Sequence, residues 1–204
     1  MGGSILPVTI HNNKIYFLFG KEREIDENPG WSDFGGGSEK GETLLQTAIR
    51  EGGEELTGFL GNDSDVKKML AKYGTFNIDY KSEGYSPYRC HIFPMEYNEL
   101  LPYYYNNNQQ FLQKRLDPKI IQNTKIFEKP QIKWFSFDEI KSRHNEFRSF
   151  YKNIIYLILG YRSAIEEFVK TKMHIKPKMH KKTKMHKKTK RTSNKTQKTR
   201  RHRK

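Results

Sequence analysis

Residues 35–58 constrain this chain more than any other stretch. Three consecutive glycines, Gly35, Gly36 and Gly37, run into a segment whose apolar residues Leu45, Ala48, Ile49 and Leu56 recur at the three-to-four spacing of an amphipathic helix. The pattern predicts a loop–helix unit, with the helix starting near Thr43 and closing by Gly58, a residue suited to the left-handed conformation. On that helix Glu51, Glu54 and Glu55 are three and four residues apart, so their carboxylates share one side while Leu45, Ala48, Ile49 and Leu56 face a core. Clustered carboxylates repel one another, and near the C-terminal end of a helix the macrodipole adds to the cost. A compensating cation is therefore expected. Two readings stay open on the glutamates alone: a solvated acidic face, or oxygen ligands for a hard divalent ion such as Mg²⁺, completed by backbone carbonyls, water and substrate phosphates.

The wider spacing separates these readings. Gly36, Glu42, Arg50, Glu51, Glu54 and Glu55 fit G-x5-E-x7-R-E-x2-E-E, and the approach Trp31-Ser32-Asp33-Phe34-Gly35-Gly36-Gly37 has the form W-x-x-P-G-G-G with Phe34 in the proline position. This stretch resembles the Nudix box of the Nudix hydrolase superfamily. Two positions depart from it. Gly52 follows the Arg-Glu pair where the family has an apolar residue, and Thr57 stands where it has glycine, with Gly58 one residue late. Two adjacent glycines in a helix cost on the order of 1 kcal/mol each relative to alanine, so a locally softer helix is expected. A second stretch, Phe127 to Ile140, resembles the late Nudix strand and its short following helix, with Ile132, Trp134 and Phe137 expected to be buried.

The resemblance implies an α/β/α sandwich with a mixed sheet, and Mg²⁺- or Mn²⁺-dependent hydrolysis of a diphosphate linkage. It implies Glu51 and Glu55 as principal metal ligands, Glu54 as a further ligand or water-orienting base, and the Gly35 carbonyl completing the shell. Arg50 would orient the glutamates, while Glu42 and Glu39 brace the loop–helix junction. Glu128, six residues before Trp134, would supply another ligand or the general base. Lys21 and Arg23, at the end of an early strand, would contact substrate phosphates, or else belong to a solvated loop.

At 204 residues the chain has the length of one domain with a real core. Its formal net charge of +15 is unevenly placed: sixteen of the 38 lysines and arginines, and no acid, lie between Thr171 and Lys204. The domain is thus expected over 1–170 and is close to neutral. The segment 171–204 repeats Lys178-Met179-His180-Lys181-Lys182-Thr183 unchanged at 184–189, after a looser copy at 172–177, and cannot bury enough apolar surface to offset chain entropy. It reads as a disordered polycation that would hold RNA or DNA by its phosphates or serve as a nuclear localisation signal. The single cysteine, Cys90, excludes an internal disulfide. With no leader pattern and no apolar run approaching eighteen residues, a soluble intracellular protein, cytoplasmic or nuclear, with no membrane partner, is expected.

Along the rest of the chain, Ile5–Ile10 and Lys14–Phe19 read as a hairpin turning at His11-Asn12-Asn13, Asn62–Tyr73 as a helix added to the family pattern, and 75–80 and 88–95 as strands. His91 is read as structural. In the aromatic and amide-rich stretch Leu101 to Asn108, tyrosines would either stack on a nucleobase or cover the sheet edge, with a short helix at 109–116. Residues 147–170 carry a long helical pattern that Gly160 interrupts.

The lead function is a Nudix pyrophosphohydrolase acting on a nucleoside diphosphate linked to another moiety, with capped RNA attractive because a basic segment would hold the RNA body. The alternative is a catalytically weakened Nudix domain that binds nucleic acid through that segment.

Overall fold

The structure, a computed structural model, describes residues 1–23, 28–81, 86–123 and 127–174, and for residues 122, 123 and 174 the backbone only. The expected disordered segment and its repeats therefore lie, from residue 175 onward, outside the described residues.

Seven strands form one mixed sheet: β1 (Gly2–His11), β2 (Lys14–Lys21), β3 (Trp31–Ser32), β4 (Phe34–Gly37), β5 (Phe76–Tyr80), β6 (Tyr88–Pro94) and β7 (Gln131–Ser136). The β1–β2 hairpin turns where expected, on Asn12 and Asn13, whose φ values of 47° and 59° are those asparagine tolerates best after glycine. One edge of β1 is shared. Its second half pairs antiparallel with β2 and its first half with β4, while β6 runs parallel along its other edge. The two hairpin strands thus diverge, and β3 and β4 enter the gap between them. That split delivers Gly35, Gly36 and Gly37 to the middle of the molecule.

Helices cover both faces. The period-two alternation of the strands divides the core: Phe17, Phe19, Cys90, Ile92 and Phe135 face a layer made with α5 (Phe137–Ser142), α6 (Tyr151–Gly160) and α7 (Arg162–His174), where Phe137, Ile140, Tyr151, Ile155, Ile158 and Ile165 are buried. Ile5, Leu18, Phe93, Ile132 and Trp134 face α1 (Leu44–Glu55), α2 (Asp63–Tyr73) and α3 (Leu100–Arg115). A short α4 (Pro118–Asn123) follows α3. Among the described residues no helix is long and apolar enough to cross a membrane.

Three expectations change. Leu45, assigned above to the core face of the box helix, is 42% exposed, because the first turn of α1 lays the Leu44 carbonyl and Ala48 rather than Leu45 against Gly3 of β1, while Ala48, Ile49 and Leu56 reach the core. The helix anticipated at 109–116 begins at Leu100 and absorbs the tyrosine stretch. Pro102 falls in its first turn, where no N–H is needed, and tertiary bonds override the poor helix propensity of three asparagines. Asn106 donates to the Ile132 carbonyl at 3.1 Å and accepts from the Ile132 N–H at 2.8 Å, stapling α3 to the edge strand β7. The 147–170 pattern resolves into α6 and α7, broken at Gly160 and Tyr161, and α7 continues through His174, past the compositional boundary at 170.

Candidate active site

The loop–helix unit forms as its sequence dictates. Thr43 caps α1 by accepting the Gln46 N–H, and the Gln46 side chain accepts the Thr43 N–H, closing a capping box. The helix runs unbroken through Gly52 and Gly53. Gly52 is needed there for close approach: a Cβ at that position would lie 2.3 Å from Ile5 Cδ1, so the missing side chain lets α1 rest on β1. Gly36 plays the same part opposite Glu51, whose carboxyl lies 2.7 Å from where a Cβ would stand. Beyond the helix Thr57 adopts φ 49° and Gly58 φ 74°. Thr57 therefore takes the left-handed conformation for which the family uses glycine, and its Oγ1 accepts a 2.9 Å hydrogen bond from the buried amide of Gln109.

At the outer end of the glutamate face Arg50 is the organising group. Its Nε and Nη2 donate to the two oxygens of Glu42 at 2.8 and 3.0 Å, its Nη1 to Glu51 at 2.8 Å and Glu54 at 3.4 Å, and its Nη2 to the Gly37 carbonyl at 3.1 Å. Glu42 also accepts from the Glu39 N–H and Thr47 Oγ1. The Arg50 guanidinium and that N–H hold the Glu42 carboxyl down at about 2, so it stays ionised well into acid. Glu42 thus braces the loop–helix junction, and Arg50 ties that brace to Glu51 and Glu54.

The inner end was not anticipated. Glu55, 5% exposed, accepts the Gly35 N–H on Oε2 at 2.8 Å, and its Oε1 faces the ammonium of Lys129 at 3.5 Å. Burial raises the Glu55 carboxyl well above the usual range, Lys129 opposes this, and Glu22, Asp33 and Glu128 push it further up. Glu128 is therefore near enough to act on Glu55, while Lys129, the next residue, enters the site itself. Lys129 Nζ donates to Glu22, with which it makes a very close ion pair, and to Ser32 Oγ at 2.7 Å. Asp33, also buried, accepts from Ser4 Oγ and, at 2.9 Å, from the Tyr88 hydroxyl, fixing the start of β4 to β1 and β6.

A cavity of about 960 Å³ opens against Gly35, Gly36 and Gly37, walled by Tyr80, Tyr88, Phe150, Asn153 and Arg148. Arg148 reaches back to Glu22 at 2.6 Å and its guanidinium lies 5.0 Å from the Phe150 ring centre. Asn153 donates to the Tyr80 hydroxyl at 2.9 Å. Lys21 ends β2 opposite Trp31 and Gln131, and neither it nor Arg23 lines this cavity. The tyrosine stretch also lies away from it. Tyr105 is buried with its hydroxyl between the Glu55 and Lys129 carbonyls at 2.9 and 2.7 Å, whereas Tyr103 and Tyr104 are exposed. The cavity walls lie some 50 and 110 residues beyond the glycine turn, and nothing in their local sequence marked them beyond two strand patterns and a helical aromatic one.

The family model for the NUDIX domain matches residues 5–157, which takes in both ends of the glutamate face, the glycine turn and the walls of the cavity. The chain belongs to the Nudix family. It is thereby a member of a family of pyrophosphate-bond hydrolases that use divalent metals, built on the Nudix α/β/α sandwich. No curated protein matches the chain. Solved structures of similar fold include a C. elegans Ap4A hydrolase binary complex, with 14% identity, 84% of this chain and 94% of that one covered, and a TM-score of 0.43. Another is a Francisella tularensis bifunctional NMN adenylyltransferase/ADP ribose pyrophosphatase complexed with AMP and a Mn ion, at 18% identity, 76% and 40% coverage and a TM-score of 0.48. A third is the NUDIX domain of Shewanella oneidensis NrtR complexed with ADP ribose, at 14% identity, 80% and 86% coverage and a TM-score of 0.42.

The donor chemistry of this Nudix box suits a hard divalent cation. Among the described residues no three His, Cys, Asp or Glu side chains are gathered so that they could together hold a metal ion. The groups on the glutamate face are instead all oxygen donors, Glu51, Glu54, Glu55 and the adjoining glycine carbonyls, the set that binds Mg²⁺ through one or two carboxylates and leaves the rest of its shell to water and substrate phosphates.

Proposed function

We propose that this chain is a Mg²⁺- or Mn²⁺-dependent pyrophosphohydrolase that cleaves a diphosphate linkage in a nucleoside diphosphate joined to another moiety. The observation that carries this reading is the cavity against Gly35–Gly37: an aromatic pocket with amide and guanidinium groups, lined by none of the three glutamates but sharing with them the glycine turn, where Gly36 abuts the Glu51 carboxyl. Its size is that of a site for one nucleotide-sized ligand. Tyr80, Tyr88 and Phe150 offer faces for a base, and Asn28, Ser149 and Asn153 offer hydrogen-bonding groups for its edge or the ribose. The diphosphate then falls beside the glycine turn.

The metal would draw its ligands from the set Glu51, Glu54, Glu55 and the Gly35 carbonyl, and supplies charge neutralisation on phosphate oxygens and a lowered pKa for the attacking water. Every other part is the protein's. Arg50 fixes Glu51 and Glu54 in register with the turn, leaving Glu54, the most exposed of the three, to orient water or accept its proton. Glu128, beside the buried pair, is the candidate for a second acid–base group. Lys21 and Arg23 are assigned to the more distant parts of a longer substrate.

Among such substrates a capped RNA 5′ end is favoured by the polycationic sequence after residue 174, which would hold an RNA body through its phosphates in a salt-sensitive way, and which also suits a cytoplasmic or nuclear enzyme. Against the non-catalytic alternative weigh the unbroken course of α1 through Gly52–Gly53 and the turn conformation of Thr57. The test is Mg²⁺-dependent release of the cap nucleotide from cap-labelled RNA by the full chain and by a chain ending at His174, beside a panel of free nucleotides. Cleavage of capped RNA that weakens on truncation supports decapping. Equal cleavage of small nucleotides by both forms makes it a metabolite pyrophosphohydrolase, and RNA binding without Mg²⁺-dependent turnover restores the alternative.

A further inference from the structure

The inner half of the site already contains a cation. Lys129 is 1% exposed, and burying an ammonium costs several kcal/mol unless its donors are met by charged and polar partners. Here they are met by Glu22, by Ser32 Oγ at 2.7 Å and by Glu55 at 3.5 Å, two carboxylates themselves shielded from solvent. The position is built rather than incidental. The stem of Lys129 crosses β2 where Gly20 has no side chain, and a Cβ there would come within 2.8 Å of both Lys129 Cδ and Phe34 Cε1. Its backbone is clamped as well, since the buried Tyr105 hydroxyl bridges the Lys129 and Glu55 carbonyls. The ammonium is thus held from both ends against the last carboxylate of the box.

Glu55 has little left to offer a metal, because one oxygen takes the Gly35 N–H and the other faces Lys129. At the outer end Arg50 engages Oε1 of Glu51 and Oε2 of Glu54. We propose that Lys129 is a resident cation of the site, its ammonium holding the place between Glu22 and Glu55 that a divalent ion would otherwise take, so that divalent metal binds only at the outer carboxylates Glu51 and Glu54. The proposal rests on the metal-dependent reading above and divides its ligand set in two. Lys129 is a positioning residue in this account: it touches no substrate, and it keeps Glu55 turned so that its other oxygen accepts the Gly35 N–H.

The test is metal binding rather than turnover. The full chain, the Lys129→Met variant and the charge-balanced Lys129→Met/Glu22→Gln variant are titrated with Mn²⁺ and followed by electron paramagnetic resonance, with circular dichroism reporting folding. Mn²⁺-soaked crystals of the unaltered chain are mapped by anomalous scattering, which needs no variant. The expected result is about one additional Mn²⁺ per chain in Lys129→Met, none in the double variant, which lacks the Glu22 carboxylate that would hold it, and anomalous density in the unaltered chain at Glu51 and Glu54 but none between Glu22 and Glu55. Density between Glu22 and Glu55 in the unaltered chain, or unchanged stoichiometry in a folded Lys129→Met chain, overturns the proposal. An unaltered chain that binds no Mn²⁺ defeats the metal-dependent function instead, and a variant that then gains an ion still supports the resident cation.

Discussion

At the outer end of the glutamate face Arg50 gathers Glu42, Glu51 and Glu54, partners eight, one and four residues away, whereas at the inner end Lys129 meets Glu22 and Ser32 across 107 and 97 residues. The outer cluster is partly open to solvent and the inner one is closed. Both answer the same problem, repulsion among carboxylates on one helix, but by different physics. A guanidinium near the surface forms its forked bonds cheaply and orients what it touches. A buried ammonium is worth having only while every partner stays in place, because removing one member of a buried pair strands a charge. The outer cluster should therefore govern chemistry, and the inner one the integrity of the fold around it.

The sharpest way to break this contrast is to truncate each cation. Lys129→Ala leaves Glu22 and Glu55 facing each other out of water, and a loss of about 3–5 kcal/mol is expected in urea unfolding. Arg50→Ala exposes its partners to solvent and should lower the free energy of urea unfolding by no more than about 1 kcal/mol, while lowering kcat/KM by about 10–100-fold through misplaced Glu51 and Glu54. If Arg50→Ala destabilises as much as Lys129→Ala, the two ends do not differ in the way described.

Acid separates the fold from the outer cluster. His91 is 4% exposed on the α1 face of β6, and neither ring nitrogen has a hydrogen-bond partner among the described residues. Burial, helped by Arg89 and opposed by Asp79, pulls it down to about 4 from its ordinary 6.5. The unfolded chain takes up that proton first as pH falls. Stability is thus complete above about 6.5 and declines between there and 4, by about 3 kcal/mol. Throughout that window Glu42 stays ionised and the Arg50 cluster persists. Replacing His91 by Leu should flatten the decline in urea midpoints measured from pH 7 to 4, and a slope that survives the substitution assigns acid lability to other groups.

How much of this could be read beforehand follows the same division. The box, its capping box, the hairpin on Asn12-Asn13 and the burial of Ile132, Trp134 and Phe137 are written in residues within a turn or a strand of one another, where periodicity and propensity act. Glu22 looked like loop charge because its partners, Lys129 and Arg148, lie more than a hundred residues on. Lys129 stood next to a residue already singled out, Glu128, and the one signal that could have found it was a lysine directly before a proline and a strand about to be buried. Tyr105 was legible only as an aromatic in a polar run, since its role depends on two carbonyls that other elements bring together.

The smallest effect tests a departure from the family pattern. Thr57 is a β-branched residue at φ 49°, a conformation costing about 1–2 kcal/mol without glycine, yet its hydroxyl accepts from Gln109, whose amide is 1% exposed. Thr57→Gly relieves the backbone but strands that amide and adds chain entropy to the unfolded state, terms of about 1 kcal/mol that oppose one another. The net change in urea midpoint should stay within about 1 kcal/mol. Thr57→Ala keeps the strained Cβ and loses the hydroxyl, so it should be the less stable of the two, by the strain that glycine alone relieves. An alanine variant as stable as the glycine one would mean that the strain at Thr57 is no larger than the chain entropy glycine adds to the unfolded state, so that replacing the family's glycine costs the fold nothing.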